Sequence, residues 1–316
     1  MRHIEAPTID DIRAARQRIA SLVARTPLVR LQIDSRPEIY LKLENLQPIG
    51  SFKLRGAGNA IARLSPRELR EGVYTASAGN MAQGVAWSAR ALGVDCEVVM
   101  PDTAPRTKVE AVERLGARIT KVPFTEWWQT LADFGRDGMK GRFIHPVADR
   151  DVMAGNGTIG LEIIEDLTDV DAVLVPFGGG GLTSGIATAI RALSPRTRVF
   201  GCEVATSTPL TAALAANAPV TVERTPSFID GIGGRGVLPE MWPIVRELVA
   251  GALVSPVDEV GAAVRLLVER ARIVAEGAGA TPVAAALAGR AGRGRVVCVV
   301  SGGNIDTTTL ADLLKS

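Results

Sequence analysis

The chain has 316 residues, 47% of them hydrophobic and 22% charged, with a formal net charge of +2. That length allows a large buried core in one large domain or two closely joined ones, and the composition excludes disordered, collagen-like and coiled-coil readings. The near-balanced charge, with no Lys/Arg block interleaved with aromatics, argues against nucleic acid and for a small-molecule partner. Two histidines, His3 and His145, are too few for most histidine triads and His-ligated metal sites. Cys96, Cys202 and Cys298 each sit in an apolar run and read as buried thiols of a reducing compartment. With neither a membrane-length apolar stretch nor a signal-peptide h-region, the expectation is a cytoplasmic protein with no membrane partner.

In chain order, residues 10–23 predict an amphipathic helix and IYLKLE (39–44) a strand. LENLQPIGSFKLRGAGNA (43–60) follows, placing Lys53 after a Gly-Ser-Phe turn, between Phe52 and Leu54 and ahead of Gly56 and Gly58. A lysine in a turn is usually a solvated charge, whereas one desolvated by apolar neighbours loses pKa and becomes nucleophilic; this stretch alone leaves both readings open. Strands GVYTASA (72–78), DCEVVMP (95–101) and ARITKVP (117–123), with a helix over 104–116, make residues 72–123 a strand–helix–strand–helix–strand unit. PFTEWWQTLADFGRDGMKGRF (123–143), with Trp127 and Trp128, is expected to pack a short helix into the core in preference to a lobe–lobe or ligand contact. DAVLVPF (171–177) and RVFGCEV (198–204) begin a second unit. SFIDGIGGRGVLPEMWP (227–243) lacks periodicity and is expected to be a loop near a cleft. GALVSPV (251–257), a helix over 258–277 capped by Asp258, and RVVCVVSG (295–302) follow.

This alternation predicts an α/β fold of two lobes, each an open, mostly parallel sheet with helices on both faces. Ligands of such sheets lie at the carboxyl ends of strands, so the turns there carry the functional information. In PFGGGGLTSGIATAIRAL, Gly178, Gly179, Gly180 and Gly181 separate a strand from a helix, and converging backbone N–H groups with a helix dipole make a phosphate cup. Neither the dinucleotide nor the Walker spacing is met there. In TASAGNMAQG, Ser77, Ala78, Gly79 and Asn80 open a helix whose N–H groups suit a carboxylate, and Asn80 suits either capping or donation to a ligand. Ser301 of VVSGGN follows the last strand.

Taken together, these turns resemble those of the fold-type II pyridoxal-phosphate enzymes, and within them the serine/threonine dehydratases. GSFKLRGA is similar to the family's Schiff-base lysine motif, SAGN to its substrate-carboxylate loop, GGGGL to its phosphate loop and SGGN to its pyridine-nitrogen motif, in order over nearly the whole chain. GNGTIGLEI, VPFGGGG and VAEGAGA are similar to the short catabolic threonine dehydratases. The resemblance implies a pyridoxal 5′-phosphate cofactor. Lys53 would bind it covalently and take the substrate Cα proton. Phe52 would pack beside the ring, Gly178 to Gly181 and Leu182 would surround the phosphate, Asn80 would bond the ring's 3′ oxygen and Ser301 its nitrogen. Ser77, Ala78 and Gly79, with Asn80, would seat the substrate carboxylate. A neutral hydroxyl at the ring nitrogen favours β-elimination over transamination, with the cofactor phosphate assigned as acid for the leaving hydroxyl.

The implied reaction is dehydration and deamination of L-threonine, and of L-serine, to a 2-oxo acid and ammonia. The implied organisation is a large cofactor domain (1–45 and 146–316), a small domain (46–145) closing over substrate, and a homodimer or homotetramer. Ala78, where serine racemases commonly carry a second serine, disfavours racemisation, and Met81 replaces the family's usual histidine. Glu203 matches one ligand of a cation site of some members, but Pro209 stands where an acidic partner belongs, so no metal is expected. No regulatory domain is expected beyond SGGNIDTTTLADLLKS. Two alternatives remain: a dehydratase for another β-hydroxy amino acid, such as threo-3-hydroxyaspartate or a hydroxyectoine-derived one, and a non-catalytic metabolite-binding protein.

Overall fold

The structure, a computed structural model, describes residues 2–34 and 37–315. Its strands are β1 (Leu28–Arg30), β2 (Glu38–Leu43), β3 (Val73–Ala76), β4 (Cys96–Pro101), β5 (Arg118–Val122), β6 (Arg142–Phe143), β7 (Ala172–Pro176), β8 (Arg198–Val204), β9 (Gly251–Ser255) and β10 (Arg295–Val300). They form two sheets, ordered β1-β2-β10-β7-β8-β9 and β5-β4-β3-β6. Every pairing is parallel except β1 with β2. The architecture is therefore α/β with parallel sheets flanked by helices. The alternation along β10 explains its unbroken apolar sequence: Val296, Cys298 and Val300 join one core cluster, while Val297 and Val299 join another on the opposite face. All three cysteines are buried and unpaired, and burial pushes the Cys96 thiol up to about 12. Among the described residues no helix is long and apolar enough to cross a membrane.

The expected strands are present: RVFGCEV keeps its full length, IYLKLE shifts by one residue to Glu38–Leu43, and the others are trimmed at their ends. Strands β1 and β6, of three and two residues, are too short to show a period. The helix expected over 258–277 is corrected. Pro256 takes the N-cap, its fixed φ leading into a helix over Val257–Leu266, and Asp258 lies inside the first turn with Glu259. A π-helical segment, Leu267–Ala271, follows, and Arg272 at φ 59° ends it. Chain over 272–275 separates that point from the next helix, Gly277–Leu287.

Close helix packing sets the framework of the site. A Cβ on Gly155 would lie 2.2 Å from the Arg55 carbonyl oxygen, and one on Gly185 2.2 Å from that of Met153. Only glycine lets helix Arg150–Asp166 approach helices Lys53–Ala62 and Gly181–Leu193 this closely. At the first of these crossings lies a buried ionic cluster. Arg55 Nε and one terminal nitrogen each donate to Glu44 at 2.8 Å, while its terminal nitrogens reach Glu162 at 2.6 and 2.9 Å. Lys42 Nζ donates to Glu162 at 2.6 Å and to the Thr26 carbonyl at 2.6 Å, and the Thr26 hydroxyl donates to Glu44 at 2.5 Å. Two cations thus meet two carboxylates in an interior that excludes water.

Burial pushes the Glu44 carboxyl up, but Arg55 outweighs it by charge and hydrogen bonding, so the net shift is downward from 4.5. A depressed carboxylate contributes stability above its unfolded pKa and loses it as pH falls through the folded value. Arg55→Met is expected to cost about 3–5 kcal/mol at pH 7, because it strands carboxylates in the interior. The penalty should shrink toward pH 5, where the stranded groups take up protons, as measured by urea denaturation midpoints at the two pH values.

Candidate active site

The carboxyl ends of both sheets border a cleft of about 620 Å³. Its lining includes Phe52, Lys53, Ser77, Ala78, Gly79, Asn80, Gly178, Gly179, Gly180, Gly181, Leu182 and Ser301, so the structure brings together every residue singled out in the four turns. Lys53 is the first residue of helix Lys53–Ala62, entered through Phe52. The Phe52 N–H donates to the Ser301 carbonyl at 3.0 Å, joining this turn to the end of β10. Lys53 Nζ lies 5.1 Å from the Phe52 ring centroid and donates to the Pro146 carbonyl at 3.0 Å. Desolvation pulls its amine down from 10.5 to about 8, while the Glu276 carboxyl holds it up.

Gly180, at φ 94°, is the N-cap of helix Gly181–Leu193, a conformation that favours glycine. The helix has no side-chain cap and no acidic residue in its first turn, so its end amides and dipole are left for an anion. Cβ atoms on Gly179 and Gly181 would lie 2.6 and 2.7 Å from Val147, which closes the cup on one side. Across the cleft Gly79 is the N-cap of helix Asn80–Leu92, also without a side-chain cap. Asn80 is the first helical residue, and its side chain points away from its own helix end: Nδ2 donates to Glu276 at 3.0 and 3.2 Å, and Oδ1 accepts from Asn304 at 2.8 Å. The Ser77 hydroxyl accepts from the Gly79 N–H at 3.2 Å. Ser301, directly after β10, is 2% exposed. An uncapped helix behind a glycine cup, a low-pKa amine and a buried hydroxyl fit a phosphorylated aldehyde with a ring nitrogen.

Sequence reasoning missed two residues here. Glu276, the acid of VAEGAGA, is 7% exposed. Burial pushes its carboxyl up to about 7; the Asn80 bond opposes this, Asp230 adds to it, and Lys108 and Lys53 oppose it. One acid in a run of small apolar residues was the available signal. His145 is buried, and its Nδ1 accepts from the Val147 and Ala148 N–H groups at 3.1 and 2.7 Å. Its ring stacks on Phe134 at 4.5 Å. Burial, the first cause, and the nearby positive charge of Lys53 pull it down to about 3. It is thus a neutral acceptor that folds the turn carrying Pro146 and Val147, and it is no acid at neutral pH.

Other expectations change. Helix Phe124–Ala132 exists, but it is not simply core: Trp127 and Phe124 line the cleft, and Trp128 is 48% exposed. The aperiodic 227–243 stretch does reach the cleft, through Asp230, Gly231 and Ile232. Asp230 receives a 2.7 Å ion pair from Lys108. Glu203 is occupied by protein: its oxygens accept from the Leu210 and Thr211 N–H groups at 2.6 and 2.9 Å and from the Thr211 hydroxyl at 2.7 Å, closing the start of helix Pro209–Ala216.

Comparison with known proteins agrees with this geometry. The chain is 40% identical over 314 residues to an L-threonine ammonia-lyase of Thermotoga maritima, covering 98% of this chain and 78% of that one. It is 37% identical over 320 residues to a catabolic L-threonine dehydratase of Staphylococcus aureus, covering 98% and 92%. Maize serine racemase superposes with a TM-score of 0.91 at 32% identity, covering 98% of both chains. The profile of the pyridoxal-phosphate dependent enzymes matches residues 19–302, which takes in all four cleft turns, and the chain belongs to that family.

Proposed function

We propose that the protein is an ammonia-lyase that dehydrates L-threonine, and L-serine, to the corresponding 2-oxo acid and ammonia. The observation that carries this reading is Lys53, an amine brought down to about 8 where the glycine cup, Asn80 and Ser301 meet. The reading draws its substrate from the relatives in Thermotoga maritima and Staphylococcus aureus, both named for L-threonine. It places the protein in the cytoplasm as a homodimer or homotetramer. Residues 1–45 and 146–316 form its cofactor domain, and residues 46–145 form the domain that closes over substrate.

Bound pyridoxal phosphate supplies an electron-withdrawing ring that acidifies the substrate Cα–H. Lys53 would hold the group covalently, and its amine, once free, would take the Cα proton. The amides of Gly178 to Gly181 and Leu182 would hold the phosphate, with Val147 packed against Gly179 and Gly181. Asn80 would hold the ring oxygen, Phe52 would pack beside the ring, and the amides of Ala78, Gly79 and Asn80 with the Ser77 hydroxyl would seat the substrate carboxylate. Ser301 would meet the ring nitrogen with a neutral group, which favours loss of the β-hydroxyl over reprotonation at Cα. Ala78 offers no acid on the face opposite Lys53, which disfavours racemisation. The Pro146 carbonyl receives the Lys53 amine, and His145 holds that carbonyl in place.

A second reading, a dehydratase for threo-3-hydroxyaspartate, is favoured by Arg114 on the cleft wall, a cation suited to a side-chain carboxylate, whereas Lys108 beside it is already paired with Asp230.

Lys53→Ala is expected to lose the visible absorption of lysine-linked cofactor and to lower turnover by about a thousandfold or more, read by absorbance and 2-oxo acid release. In the parent protein, a lowered amine pKa leaves more neutral nucleophile at pH 7, so the rate at which apo-protein captures cofactor should be half-maximal near pH 8 in stopped-flow absorbance. A panel of β-hydroxy amino acids should show L-threonine turned over fastest; faster release from threo-3-hydroxyaspartate would favour the second reading.

A further inference from the structure

Glu276 is a buried carboxyl on the cleft wall with no part in the chemistry above, and the local fold does not account for it. It stands at the N-cap of helix Gly277–Leu287, where a cap side chain turns back onto first-turn amides, yet its side chain makes no such bond. The carboxylate reaches across the cleft to Asn80, with both oxygens accepting from Nδ2. A carboxylate can only accept, so the Asn80 amide must face it with its NH2 and turn Oδ1 away. On that other side Asn304 Nδ2 donates to Oδ1 at 2.8 Å, and it also donates to the Ile49 carbonyl at 2.9 Å. With an acceptor on one flank and a donor on the other, the amide has one orientation. An amide nitrogen carries two hydrogens, so Asn80 can give one to Glu276 and keep one for a ligand.

Burying a carboxyl is costly unless it is used. Asn80 is the neighbour that bonds it, Lys53 and Lys108 face it as cations, and Asp230 faces it as an anion. At pH 8 the carboxylate form prevails. At pH 6 the protonated acid offers a donor as well as an acceptor, so that flank no longer selects the orientation and Asn304 alone holds it.

We propose that Glu276 is a positioning residue for the cofactor: through Asn80 it keeps an N–H donor aimed at the ring's 3-oxygen. This rests on the reading of Asn80 as the ring-oxygen partner.

The test is binding of pyridoxal 5′-phosphate and of 3-deoxypyridoxal 5′-phosphate, which lacks that oxygen, to apo-protein, read by tryptophan fluorescence. Glu276→Leu should weaken binding of the first about tenfold and leave the second unchanged, since only the first meets the misdirected amide. In the parent the preference for the oxygen-bearing ligand should fall between pH 8 and pH 6. Glu276→Gln, which accepts from Asn80 at any pH, should keep that preference and remove its pH dependence. The ratio is taken within one protein, so general loosening of the site cancels, as does titration of Lys53, which links to both ligands. Equal losses for the two ligands, no loss, or an unchanged pH dependence in Glu276→Gln would overturn the proposal. Asn80→Ala separates the layers. If it too fails to discriminate the ligands, the reading of Asn80 falls; if it discriminates and Glu276→Leu does not, only the role of Glu276 falls.

Discussion

The salt-bridged guanidinium of Arg55 is the constraint on which the site's geometry depends. Successive helical residues are turned by about 100°, so residues two apart project on nearly opposite sides. Glu44 after β2 and Glu162 on helix Arg150–Asp166 hold Arg55 inward, and this turns Lys53, two residues earlier, outward into the cleft. A lone cation could fix a distance; a planar fork gripped by two carboxylates also fixes rotation. Such buried clusters add little net stability over an apolar core, so the arrangement is best understood as orienting the helix that carries the reacting amine.

Around that anchored helix, the cleft is assembled by contacts between chain ends that lie far apart in sequence. Phe52 bonds the backbone of Ser301, Pro146 receives the Lys53 amine, and Asn80 meets Glu276 and Asn304. Desolvation favours the neutral form of three groups there, lowering Lys53 and His145 and raising Glu276. The result is a Lys53 amine poised near neutrality and suited to taking a proton, beside a histidine kept out of proton traffic.

What the sequence made legible follows from how local each signal is. A glycine run between an apolar strand and a helix has few uses, so the cup at Gly178 to Gly181 could be read directly. Lys53, Asn80 and Ser301 gained meaning from their order along the chain. Glu276 stayed hidden because the helix expected over 258–277 took it as a residue of the last turn, and its burial depends on Gly302, whose lack of a side chain makes room for the carboxylate. Arg55 was concealed likewise, since its partners lie 11 and 107 residues away. The helix over 258–277 was drawn too long because hydrophobic period cannot register the π-helical turn at Leu267–Ala271 or the left-handed Arg272.

Two helices, Gly181–Leu193 and Asn80–Leu92, begin at the cleft with glycine N-caps and no side-chain bond to their first amides. Those amides are left open to an anion rather than bonded by side chains of the chain itself. A ligand that binds the folded chain and not the unfolded one deepens the native well in proportion to its concentration. A cofactor held on such amides would therefore also be a structural component of the polypeptide, adding to its stability as well as supplying its chemistry.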